Sequence, residues 1–291
     1  MNSPIKSPII ETVPFPARFV RWLRRLPFSL IAGLLIVLAI VLVGVFAPVI
    51  TPYDPIEQDN NATLLPPSIA HPFGTDNFGR DILSRVIYGI RINLTVGIIC
   101  TFIPLMMGVA LGSIAGFFGG WFDSVLMRVV DIAIAFPFLV LVIVILAILG
   151  PGIQNMYIAI FLVAWTIYAR LARANILVIR EQEYMLAAQS LGFGSSRIIF
   201  RHALPNSISS SIVFAMSDIV LVILLASSLS FLGIGVQPPT PEWGAIISDG
   251  RDFLLQAWWI STLPGIAVIL TGLGFCLLGD GLARILGQRN I

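Results

Sequence analysis

The sequence predicts an all-α polytopic membrane protein with six transmembrane helices, and three observations carry that prediction. Of 291 residues, 57% are hydrophobic and only 11% charged, and the mean hydropathy is +0.96, values that belong to multi-span membrane proteins rather than to soluble domains. Six apolar runs recur, at roughly 28–50, 93–118, 131–149, 156–169, 208–231 and 258–278. Most approach the ~20 residues needed to cross about 30 Å of hydrocarbon. With the N-terminus placed inside, thirteen of the 17 Lys and Arg fall on the cytoplasmic side and four on the other, as the positive-inside rule expects.

The elements follow in order. Residues 1–27 form a tail in which Phe15, Phe19, Trp22, Leu23 and Leu26 recur at helical spacing opposite Arg18, Arg21, Arg24 and Arg25, the pattern of a basic helix lying in the membrane interface. Residues 28–50 are too long for a signal-peptide core and lack a small-residue cleavage site, so they read as an uncleaved first span. An external loop over 51–92 begins with Pro-, Asn- and Asp-rich connection. It ends with Ile82, Leu83, Val86, Ile87 and Ile90 on one helical face and Asp81, Ser84, Arg85 and Arg91 on the other. That pattern predicts an amphipathic helix along the membrane surface, ahead of a five-helix core over 93–282. Pro104, Pro137 and Pro264 lie within apolar runs and should kink them. Gly108, Gly112 and Gly116 form a small-residue stripe suited to close helix contact. Arg170 and Arg173 should snorkel from a helix that continues past the fourth run. Residues 283–291 are a cytoplasmic C-terminus.

The most polar long interval between two apolar runs is 180–206, which therefore faces water. Residues 181–191 are good helix formers with acidic residues, Glu183 among them, in the first turn. Gly192 then stops the helix, Ser195 or Ser196 can cap a second one, and Pro205 bounds it. Arginine placement puts this hairpin on the cytoplasmic side.

Ala187-Ala188, three residues, Gly192, and eleven residues on to Leu204-Pro205 has the spacing that marks membrane subunits of ABC importers, and the chain resembles that family. The resemblance implies a type I ABC importer permease-like fold in which the hairpin is a coupling helix docked on an ATPase, with Glu183, Tyr184, Ala187, Ala188, Gly192, Leu204 and Pro205 in the contact region. Leu186 stands where many members have Glu, and His202 where many have an aliphatic residue; both departures resemble the peptide-importer branch. The runs His71 to Arg91 and Ser230 to Gly244, with its prolines 238, 239 and 241 and interfacial Trp243, are similar to dipeptide, oligopeptide and nickel importer permeases, as is the closing Leu-Gly-Asp-Gly-Leu around Asp280. The partners so implied are a homologous second permease, two ABC ATPase subunits, an extracytoplasmic solute-binding protein and membrane lipid, with no nucleic acid. The implied location is the bacterial inner membrane, and the implied cargo dipeptides or oligopeptides.

Several chemistries are excluded. Lys6 is the only lysine, so no phosphate-binding Gly-rich loop ending in Lys exists. The chain is expected to bind no cofactor, ATP and Mg being held by the partner ATPases. Cys100, Cys276, His71 and His202 have no metal-cluster spacing, and both cysteines read as buried thiols. No His-Glu-x-x-His or Gly-x-Ser-x-Gly supports an enzyme. Acidic residues at 54, 57, 59, 76, 81, 242, 249 and 252 lie outside, most of them solvated. Asp218 is different, an acid inside the fifth run. It is either part of the translocation path, as a proton relay or a ligand for a peptide amino group, or it is satisfied by Ser217 or a neighbouring helix. The alternative function is therefore a proton-coupled secondary transporter using Asp218.

Overall fold

A computed structural model describes residues 26–287, so the expected interfacial helix over 15–26 lies, but for its last residue, outside the described residues. All regular structure among those residues is helical, with one isolated bridge between Thr75 and Asp81. Five helical stretches are long and apolar enough to cross a membrane: α1 (Phe28–Val45), α3 (Ile82–Phe118), α6 (Ile153–Ile179), the run Ser195–Phe231, and α11 (Trp259–Gly287). A short α2 (Ala47–Ile50) follows α1. The sixth crossing is a broken pair, α4 (Gly120–Ala135) and α5 (Phe138–Leu149), which meet at 93°.

The break has a local cause. Pro137 disfavours helical geometry in the residue before it, and Phe136 is extended at φ −93°, ψ 144°. Pro104 and Pro264, by contrast, sit inside helices α3 and α11 that continue through them. Residues 119–130, which separate the second and third apolar runs, are mostly α4 rather than a loop. Gly119 and Gly120, at φ 65° and 70°, turn the chain, and α4 is then held along α6 by Arg173 with Asp123 and Arg170 with Asp131. The two arginines expected to snorkel are thus paired within the protein.

The separate surface helix is also corrected. Residues 82–91 are the first turns of α3, which runs 37 residues, about 55 Å, without interruption. Nothing between Arg91 and Asn93 breaks a helix. Arg91 donates from Nε to the Gly44 carbonyl at 2.7 Å and from NH2 to the Val45 carbonyl at 2.9 Å, satisfying the carbonyls that the end of α1 leaves unpaired.

Helix association rests on glycine. A Cβ placed at Gly108 would stand 2.4 Å from the Trp165 carbonyl oxygen, at Gly112 2.2 Å from that of Ala169, and at Gly116 2.9 Å from that of Arg173. The stripe read from the sequence thus lets the backbones of α3 and α6 touch. A second such interface joins α1 to α11, where a Cβ at Gly33 would meet the Leu278 nitrogen at 2.5 Å and one at Gly281 the Leu30 Cα at 2.5 Å. Larger side chains fill the remaining space: Val86, Ile90, Ile219, Ile223 and Trp259 in one core, and Val96, Leu146, Met156, Ile160 and Leu229 in another. Cys100 is buried, but Cys276 is exposed on α11, contrary to the reading that buried both.

Gly112→Leu should therefore cost about 3 kcal/mol or more, because the obstacle is backbone that cannot yield. Gly265→Ala, where nothing lies within 4 Å, should leave stability unchanged or slightly raised. Denaturation of the detergent-solubilised protein measures both.

Candidate functional site

The 180–206 hairpin closes one end of the bundle. α7 (Glu183–Ser190) begins two residues later than the sequence suggested, with Gln182 as N-cap. It ends as expected at Gly192, whose φ of +75° is open to glycine and costly for other residues. The Phe193 N–H bonds to the Ala188 carbonyl at 3.2 Å and the Gly192 N–H to that of Gln189 at 2.9 Å, the paired closure of a Schellman turn.

The second limb differs from expectation. Neither Ser195 nor Ser196 caps it; Gly194 is the N-cap of α8 (Ser195–Ile198), which passes into a π turn (Ile199–Ala203) and then α9 (Leu204–Phe231). Pro205 does not stop the helix. It lies in the first turn of α9, where its missing N–H follows the wider π register and no continuous α-ladder is broken.

The residues of the hairpin separate into two sets. Met185, Ala188, Ile198 and Ala203 pack inward with Ile176. Ala188 is thus a core residue rather than part of an open face, because the closing turn places its side chain under the hairpin. Glu183, Tyr184, Ala187, Gly192 and Pro205 are exposed and Leu204 is half-buried. Three apolar side chains join the outer surface without having been predicted to: Leu186, Leu191 and Phe200, the last two 72% and 70% exposed. Exposed leucine and phenylalanine in a polar interval were the missed signal; Phe200 also borders an apolar groove with Met106 and Ile114 of α3. The hairpin is braced by His202 stacked on Phe193 at 6.3 Å and by the Arg197 guanidinium 4.2 Å from the Phe193 ring.

Asp218 lies halfway along α9 and accepts a hydrogen bond from the Tyr168 hydroxyl of α6 at 2.6 Å. The carboxylate borders a groove of about 320 Å³ whose other walls are apolar, Phe138, Leu139, Ile167 and Leu221 among them. Of the two partners expected, Ser217 or a neighbouring helix, the structure shows the second. The sequence signal for Tyr168 was a phenol in the middle of an apolar run, where its hydroxyl must find an acceptor.

The opposite end overturns the reading of solvated acids. Asp76, Asp81 and Glu242 are buried, as are Ser84 and Arg85, which the amphipathic pattern had assigned to water. Arg80 donates to Asp76 at 2.6 Å and to Asp249 at 3.0 Å. Arg85 lies 3.8 Å from the first carboxylate and 3.6 Å from the second, and donates to the Pro55 carbonyl at 3.3 Å. Asp81 caps α3 through the Ser84 N–H at 2.8 Å and faces His71 at 3.0 Å. Together these contacts fasten the 51–81 segment to α3 and to α10 (Trp243–Gly250). Glu242 caps α10 through the Gly244 and Ala245 N–H groups; burial pushes its carboxyl above the ordinary range against the opposing pull of those donors and of Ser227 and Ser230. Trp243 is fully buried, donating to the Val86 carbonyl at 3.0 Å, and so is not the interfacial residue expected. Asp54, Glu57 and Asp59 are exposed as anticipated.

A bundle of about six crossings, fastened at one end by a folded loop and closed at the other by an apolar-faced hairpin, defines a membrane-embedded permease subunit. Residues 108–291 match the family model described as binding-protein-dependent transport system inner membrane component, and residues 20–67 match the N-terminal TM domain of oligopeptide transport permease C. The chain belongs to this binding-protein-dependent transport family, the permease subunits of ABC importers, and is an integral inner-membrane protein. It is 44% identical over 259 residues to the dipeptide transport system permease protein DppC of Alkalihalophilus pseudofirmus, covering 89% of this chain and 85% of the relative. It is 43% identical over 265 residues to the di/tripeptide transport system permease protein DppC of Pseudomonas aeruginosa, covering 89% and 88%. To the glutathione transport system permease protein GsiD of Pectobacterium atrosepticum it is 40% identical over 260 residues, covering 89% and 86%.

Removal of Asp76 leaves two buried guanidinium groups short of a partner, so Asp76→Ala should destabilise the protein by about 3–5 kcal/mol. Asp252→Ala, at the exposed pair with Arg251, should change stability by less than about 0.5 kcal/mol in the same unfolding measurement.

Proposed function

We propose that the chain forms half of the membrane path of an ATP-driven importer for dipeptides or oligopeptides, and that its 180–206 hairpin is the coupling element for separate ATPases. The observation that carries this reading is the two-sided hairpin: an inner face locked into the bundle and an outer surface on which Leu186, Leu191 and Phe200 are exposed. Apolar side chains on a polar, water-facing element are what a protein partner covers. Ala187, Gly192 and Pro205 are exposed as well, and small residues such as Ala and Gly permit close approach. Glu183 supplies a charge at the start of α7.

The working assembly contains a homologous second permease, two ABC ATPase subunits that hold ATP and Mg, and an extracytoplasmic solute-binding protein that selects cargo. Arginine asymmetry supports the hairpin and both termini on the cytoplasmic side. The relatives named for dipeptide, di/tripeptide and glutathione transport support a short peptide as cargo. Alternating access would follow from rigid movement of helix bundles biased by nucleotide binding in the partners.

In vesicles holding the complete assembly, dipeptide uptake should require ATP and survive a protonophore; collapse with the proton gradient would favour a secondary transporter instead. Leu191→Glu and Phe200→Glu should each lower the stimulation of ATP hydrolysis by loaded binding protein about tenfold or more, without impairing membrane insertion. Gly192→Trp should do the same through a left-handed backbone that costs other residues about 1–2 kcal/mol. Full stimulation in all three variants would refute the coupling role.

A further inference from the structure

Three polar contacts cross between α6 and α9, or between the hairpin and α9, along one side of the bundle. Tyr168 donates to Asp218 at 2.6 Å, Asn175 Nδ2 to Ser210 Oγ at 2.6 Å, and Asn206 Nδ2 to the Tyr184 hydroxyl at 3.3 Å. The first two are about two helical turns apart on both helices, as antiparallel neighbours require. A groove of about 320 Å³ opens beside the Asp218 pair. A second, of about 550 Å³, opens beside the lower pairs and is lined by Asn175, Gln182, Tyr184, Asn206, Ser207 and Ser210.

This side cannot face acyl chains without penalty. Asp218 is half-buried at the middle of a 28-residue helix, Ser217 next to it and Ser210 about two turns away are exposed, and Tyr168 is the one hydrogen-bond partner of Asp218 among the described residues. A carboxylate at that depth is found against the bundle interior, a cation or a water-filled cavity, because hydrocarbon offers it nothing. The apolar groove beside it narrows the choice to an occupant with a cationic group and an apolar body.

We propose that this seam is the cargo-facing wall of the chain, with Asp218, oriented by Tyr168, receiving the α-ammonium of a short peptide. The peptide backbone then runs toward the hairpin against the amides and hydroxyls of Asn175, Ser210 and Asn206. The inference rests on the peptide-importer reading above and deepens it by naming the groups that meet the cargo. Its dimensions agree: the offset of eight positions along α9 from Ser210 to Asp218 spans about 12 Å, and an extended tripeptide spans about 10–11 Å. The chemistry agrees as well. Every peptide shares its ammonium group and backbone, and neutral donors and acceptors bind those without selecting side chains, whereas fixed charges along the groove would discriminate among them.

The test uses the complete transporter in proteoliposomes, in a chain carrying Cys100→Ala and Cys276→Ala and a single Ser217→Cys or Ser210→Cys. A charged, membrane-impermeant thiol reagent should modify both positions, and saturating trialanine should slow that reaction about fivefold or more. In the parent chain, Asp218→Asn should lower trialanine uptake about tenfold, chiefly through a raised KM, as expected for loss of one charge-assisted contact. Asp218→Glu should restore most of it. Absence of labelling at both positions in every nucleotide state, labelling indifferent to trialanine, or wild-type uptake by Asp218→Asn would each overturn the proposal. Thiol labelling is read without ATP turnover, so its outcome is separate from whether the hairpin couples to an ATPase.

Discussion

Hydrocarbon accepts no hydrogen bonds and gives helices no hydrophobic reason to associate, since lipid tails are as apolar as leucine. What holds this bundle together must therefore be contact at very short range, and glycine supplies it. At Gly108, Gly112 and Gly116 the backbone of α3 lies against carbonyl groups of α6, and Gly33 and Gly281 bring the backbones of α1 and α11 equally close. A single helix face with small residues every fourth position is enough to fix which helices are neighbours. Once α3 and α6 are locked, the hairpin that continues α6 and the loop that precedes α3 have fixed points of attachment.

The same constraint explains the buried charges. Asp249 is far in sequence from Asp76, Arg80 and Arg85, yet all four meet opposite charges at the loop end of the bundle. Taking such groups out of water costs several kcal/mol per ion unless partners are arranged around them. The arrangement here joins three separate segments, so the cluster acts less as a source of net stability than as a requirement that the 51–81 loop sit in one place.

Much of the fold was legible because its signals are local. Gly192 between a helix former and a polar turn, Pro137 after Phe136, and the four-residue glycine repeat each dictate geometry within a few residues, and each appears where expected. The chemistry that depends on distant partners was not legible. A polar helical face at Asp81, Ser84 and Arg85 looks the same whether it meets water or a complementary buried cluster, and only the position of Asp249, more than 160 residues away, separates the two. Trp243 suffered the same ambiguity, since an indole N–H is satisfied equally by an interface or by the Val86 carbonyl. In the hairpin the family spacing named Ala188 but could not say which way it points, whereas Leu191 and Phe200 carried an outward signal that motif matching passes over.

Continuity of the helices bears on how the hairpin and the interior communicate. α6 leads into the hairpin through Arg180, and the other limb leads out through the π turn into α9, so the two helices that carry Tyr168 and Asp218 are the two that enter and leave the same element. A helix transmits displacement along its axis as a nearly rigid rod, and a force on the hairpin must therefore arrive at both helices together. The softer joints are identifiable: the π turn over Ile199–Ala203, where the hydrogen-bond register changes, and the extended Phe136 between α4 and α5, where the ladder ends in one long bond from the Phe136 N–H to the Ala133 carbonyl at 3.4 Å. Phe138 and Leu139, immediately after that second joint, border the groove beside Asp218. Movement of α5 about Phe136 would change the width of the groove while leaving the glycine-locked contact of α3 with α6 undisturbed, which places the deformable and the fixed parts of the bundle on different helices.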